Sequence, residues 1–177
     1  MGANMQRRLN ILAALGLALG GVFGLAGTVI SQPALRSMSW GIDGAGLVMA
    51  ASLLTLKYFR RESDFVAGGF LVFAIGEGVI LSGAAAGLSA SLPSFAAGTA
   101  LWATALLLVS IPGEFAVSVR LVGIASAFLF AATSMLILSG DTLSPISSPL
   151  PFLAYPFLVL TFVGWIWTLL LVNMPSR

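Results

Sequence analysis

Six continuous apolar runs divide this chain, and each is long enough to cross a lipid bilayer as a helix. They cover roughly 9–30, 41–59, 65–88, 95–111, 121–138 and 152–172. A run of about 20 apolar residues spans the ~30 Å hydrocarbon core. Inside that core every backbone N–H and C=O needs a partner within the protein, which leaves helices and closed barrels. The runs do not alternate apolar and polar residues with period two, so a barrel is excluded. The expected fold is all-α: a polytopic membrane helix bundle of six transmembrane helices, forming a single domain over 1–177.

Charge content points the same way. Hydrophobic residues make up 59% of the 177 and charged residues only 8%. A soluble domain carries about 25% charged residues. So few charges cannot cover a water-facing surface, and lipid is the natural replacement. The net charge of +2 does not form a basic patch interleaved with aromatics, so nucleic acid is not an expected partner.

The breaks between runs have turn chemistry. Gln32-Pro33 follows the first, Ile111-Pro112-Gly113 closes the fourth, and the proline- and serine-rich stretch 141–151 separates the fifth from the sixth. Pro93 and Pro151 stand where the fourth and sixth helices are expected to begin, where a missing N–H costs least. In this six-span layout Arg7, Arg8, Lys57, Arg60, Arg61, Arg120 and Arg177 share one side, and Arg36 alone falls on the other. The positive-inside rule then puts both termini in the cytoplasm, with a bacterial inner membrane as the expected location. The first run exceeds the 7–15 residues of a signal-peptide core and reads as a retained span, although small residues at Ala26, Gly27 and Thr28 would suit cleavage.

Ile-Leu-Ser-Gly occurs at positions 80–83 and again at 137–140, and Leu-Pro at 92–93 and 150–151. One reading is a repeat of three helical hairpins, since transporter repeats are often this faint. The other is chance matching in a compositionally narrow sequence.

Burial does not drive helix association in lipid; close packing of small residues does much of it. Gly16, Gly20 and Gly24 form a stripe one turn apart on the first span. Gly123, Ala127 and Ala131 do the same on the fifth, and Gly69, Gly76 and Gly83 recur every second turn on the third. Each set shares a helix face. Such faces pack within the monomer, or against a second copy or another membrane subunit. Trp40, Tyr58, Trp165 and Trp167 approach the run ends and are expected in the aromatic belts at the membrane boundary.

Glu77 stands out. It lies near the middle of the third run, in Ala74-Ile75-Gly76-Glu77-Gly78. A carboxylate at that depth costs about 2.5–3.5 kcal/mol on insertion scales. It is either a proton, cation or ligand site, or a protonated acid hydrogen-bonded to a carbonyl or a hydroxyl. Ser52, Thr104, Thr133 and Ser134 are the hydroxyl candidates by depth. Gly76 and Gly78 would let another backbone approach. Asp43 is read as a cap at the start of the second span, where a carboxylate complements the helix N-terminus. Glu114 and Arg120 flank an inner turn as solvated or loosely paired charges, and 57–64 is read as a topology determinant facing lipid headgroups.

The chain has no His and no Cys. Histidine-dependent haem, zinc and di-iron sites, thiol nucleophiles and disulfides are thereby excluded. No Gly-x-x-x-x-Gly-Lys loop occurs, and Glu77 is expected to stand apart from the other acids. No metal, cofactor or catalytic residue is expected, and the chain is read as a non-enzyme. The first functional reading is an accessory or structural subunit of a larger membrane complex. The alternative is a small transporter or channel component using Glu77. The layout is similar to that of the small substrate-binding membrane components of vitamin importers, in size and span number alone.

Overall fold

The structure, a computed structural model, describes residues 3–84, 87–88 and 90–172. Arg177, assigned above to the inner side, lies outside them. The described chain forms six α-helices: α1 (Ala3–Val29), α2 (Pro33–Phe59), α3 (Asp64–Ala84), α4 (Leu92–Ser110), α5 (Val117–Leu138) and α6 (Ala154–Trp167). A π-helical turn, Thr168–Val172, continues α6. All six helices are long and apolar enough to cross a membrane. Each packs on its neighbours in sequence, and α6 closes back on α1, so the bundle is a ring.

The largest departure from expectation is the start of α2, at Pro33 rather than near position 41. Gln32 is the N-cap and Pro33 occupies the first turn, where proline's fixed φ suits a helix. Arg36, Ser37 and Ser39 lower the hydropathy of this stretch without breaking it. Asp43 is therefore not a cap. It lies about ten residues, nearly three turns, inside α2.

Small residues set the helix spacing. A β-carbon on Gly16 would stand 2.5 Å from Gly46 O of α2 and 2.9 Å from Ala50 Cβ. One on Gly76 would stand 3.1 Å from Gly98 O of α4. Gly20 lies against Leu47, Gly83 against Ser94, and Gly123 against Ser110 and Thr161. Gly69 meets α4 at Ala105, Leu108 and Val109. Ala127 is buried and Ala131 packs against the core. Gly78, by contrast, has open space around it. The two Ile-Leu-Ser-Gly copies sit differently: Leu81 packs on Gly44 inside the ring, while Leu138 is exposed.

Aromatic rings plug the ring of helices toward the arginine-bearing end, hereafter the basic end. Tyr58 stacks on Phe70 at 5.6 Å, Phe70 meets Trp165 edge-on at 4.9 Å, and Phe115 joins both. Phe73 stacks on Trp102 at 5.6 Å, and Trp102 meets Phe130 edge-on at 5.1 Å. Offset-stacked and edge-to-face pairs of this kind add about 0.5–1.5 kcal/mol each beyond burial. Tyr58 and Trp165 are thus core residues, not members of an aromatic belt. Their apolar bodies fill the axis of a closed ring, a place hydropathy alone does not mark. Trp167 is exposed.

Lys57 is also placed differently from its expected headgroup contact. It is buried, and its Nζ donates to Asn10 Oδ1 at 3.0 Å. Asn10 Nδ2 in turn donates to Leu169 O at 3.1 Å. This relay ties α1, α2 and the π-helical turn together and explains how an ammonium is accommodated one turn inside a helix end. Arg120 is not loosely paired with Glu114. Its Nε and Nη2 donate to Ser110 O and Ile111 O, both at 2.7 Å, capping the carbonyl end of α4. A cation there complements the helix dipole. Glu114 instead accepts from Ser63 Oγ.

Candidate functional site

The aromatic plug fills only the half of the ring toward the basic end. Toward the opposite end lies a cavity of about 350 Å³, within the lower range of small-molecule sites. α2 contributes Arg36, Trp40, Asp43 and Leu47, which lie on one helical face, and α3 contributes Glu77 and Leu81. Phe95 and Trp102 of α4 and Tyr155 of α6 close the far wall. Ser37 and Gly87, both exposed, mark the mouth, so the cavity runs from the loops of that end to mid-bundle.

Asp43 and Glu77 both face this cavity, at 9% and 2% exposure. Leu81, one turn beyond Glu77, packs against Gly44, the neighbour of Asp43. In antiparallel helices that register puts Glu77 about five residues of rise, or ~7.5 Å, deeper than Asp43. Tyr155 lines the same cavity as both acids. The expectation that Glu77 stands apart from the other acids is corrected: the longer α2 carries Asp43 into the bundle, where it lines the same cavity. The chain does hold a pair of carboxyls in one site.

Each acid keeps one unsatisfied oxygen among the described residues. Asp43 Oδ1 and Glu77 Oε2 are buried and have no hydrogen-bond partner among the described residues. The hydroxyls expected to satisfy Glu77 are engaged elsewhere. Ser52 donates to Val48 O, Thr104 to Ala100 O, Thr133 to Leu129 O and Ser134 to Ala96 O, at 2.7 to 3.0 Å. In three of the four the partner is the carbonyl four residues back, a local bond that membrane helices offer every Ser and Thr. Trp102 Nε1, also on the cavity wall, is a buried donor without an acceptor. Buried polar groups are hydrogen-bonded in the great majority of cases, and three exceptions around one cavity call for an explanation.

Arg36 does not neutralise the pair. Its Nε donates to Ile30 O at 2.9 Å, and its guanidinium stands 5.9 Å above the centre of Trp40. It occupies the mouth, two turns from Asp43 along α2. Asp43 itself rests on Gly24 of α1, where a β-carbon would stand 3.1 to 3.3 Å from the carboxyl atoms. No group of three or more potential metal-ligating side chains occurs among the described residues.

Sequence reasoning found Glu77 and missed Asp43, Trp102 and Tyr155 as its companions. The signal for Asp43 was the spacing of Arg36, Trp40, Asp43 and Leu47, which is helical once α2 is begun at Pro33. No sequence pattern brings Trp102 and Tyr155 to the site, because they come from different helices. No family model, curated protein or solved structure matches the chain. The site is therefore read from its own geometry.

Proposed function

We propose that this chain is a small integral-membrane carrier component that binds a solute in the cavity between α1, α2, α3, α4 and α6. The observation that carries this reading is the pair Asp43 and Glu77, each with a buried oxygen that no described residue satisfies, facing one cavity. Intramembrane acids are costly and mark ion or substrate sites. A purely structural subunit gains nothing from two of them around a cavity. The small-residue stripes, which motivated the subunit reading, are occupied inside the monomer by α2, α4 and α6, so that motivation is weaker. The non-enzymatic reading is retained, on the absence of His and Cys from the sequence. The distribution of basic residues supports an orientation with the basic end in the cytoplasm and the cavity mouth outside.

The natural absence of cysteine gives a direct test. Single Val159→Cys, on the cavity wall, and Phe130→Cys, in the aromatic plug, are made in turn. In sealed vesicles the first thiol is expected to react with a membrane-impermeant methanethiosulfonate added on the mouth side, and the second to stay inert. Equal inertness of both thiols would remove the cavity as a solute site.

A further inference from the structure

The acids of the cavity favour one class of occupant. Two acids face it, and two of their oxygens, Asp43 Oδ1 and Glu77 Oε2, are orphaned. The one basic side chain on its wall, Arg36, has its Nε on Ile30 O and its guanidinium over Trp40 at the mouth. Among the described residues no other basic side chain lines the cavity. Buried charges are paired or coordinate metals. A cation is thus the partner the pair lacks.

The remaining lining decides which cation. A bare divalent ion such as calcium takes six to eight oxygen ligands. Two carboxyls in a wall built mainly of Leu47, Ile80, Leu158 and Phe162 do not supply them. Trp40, Phe95 and Tyr155 instead present aromatic surface, which attracts cations and packs against hydrocarbon. A volume of about 350 Å³ holds a molecule, not an ion alone. Trp102 Nε1 offers one donor near the acids, suited to a carbonyl or hydroxyl oxygen on the same molecule.

We infer that the cavity binds a small organic monocation, an alkyl- or arylammonium with an apolar body, whose charged nitrogen sits between Asp43 and Glu77. This rests on the solute-binding reading above and assigns the solute's chemistry. Glu77 lies deeper, Asp43 stands nearer the mouth, and the aromatic wall encloses the apolar portion. The acids make the cavity a cation-concentrating cleft as well as a binding site.

The experiment uses the Val159→Cys protein with two reagents of similar size and opposite charge: trimethylammonioethyl and sulfonatoethyl methanethiosulfonate. Rates are normalised to those with free 2-mercaptoethanol. The expected preference for the cationic reagent is about tenfold, the low end of electrostatic focusing, because two acids outnumber the single Arg36 at the mouth. Adding Asp43→Asn or Glu77→Gln should bring the ratio towards one. In the protein with both acids intact, phenyltrimethylammonium should slow modification and benzenesulfonate should not. This second readout stands even if an acid variant does not fold. A ratio near one with reaction present, or protection by benzenesulfonate, would overturn the cation assignment and leave the cavity as a solute site. Protection by sodium or magnesium chloride at equal concentration would overturn the organic assignment. No reaction with either reagent would overturn the solute-binding reading beneath it.

Discussion

The Asp43 carboxyl rests on the Cα of Gly24, so closely that a β-carbon on that glycine would stand 3.1 Å from Oδ2. α1 thus positions an acid that belongs to α2. The contact is tight enough that an added methyl group must push the carboxyl aside, and the adjoining cavity gives it somewhere to go. Gly24→Ala is expected to fold, yet to lower the cation preference at Val159→Cys. Gly68→Ala, whose methyl meets open space away from the cavity, should leave that preference unchanged. Equal effects of the two substitutions would show that Asp43 placement does not matter.

Stability should separate glycines by what they face. A methyl on Gly16 runs into the backbone of Gly46, which has no flexible end to move. Overpacking of this kind costs about 1–3 kcal/mol. Gly16→Ala should therefore lower the unfolding midpoint in detergent, and Gly78→Ala, with open space around it, should not. Far-ultraviolet circular dichroism during thermal melting reads both.

The Lys57–Asn10–Leu169 relay predicts non-additive mutational effects. Asn10→Leu leaves a buried ammonium without its acceptor, at a cost of about 1–3 kcal/mol or more for a charged group. Lys57→Met removes that need. The double variant is expected to be more stable than Asn10→Leu alone. Additive losses in a double-mutant cycle would show that the two side chains act independently.

The aromatic plug should be the main stabilising core at the basic end. Trp165 contacts Phe70, Phe73, Phe115 and Phe162. Trp165→Ala is expected to cost about 3–5 kcal/mol, as buried aromatic truncations do. Trp167→Ala, at an exposed position, should be nearly silent. A comparable loss from both, in denaturant titrations, would place Trp165 at the membrane boundary instead of in the core.

Local composition was sufficient for the helices. Hydrocarbon leaves an apolar segment few ways to satisfy its backbone, so the count of spans, the all-α class and the position of Glu77 in the third run were legible in the residues alone. Segment ends were less so. Hydropathy falls across Arg36, Ser37 and Ser39, but a helix tolerates polar residues, and the misplaced start of α2 turned Asp43 into a cap. Which groups face one another was beyond reach of the sequence. The axial burial of Tyr58 and Trp165, the relay from Lys57 to Leu169, and the meeting of Asp43 with Glu77, Trp102 and Tyr155 each depend on how helices close into a ring. Lateral contacts of that sort join residues far apart in the chain, and no periodicity along a single helix encodes them.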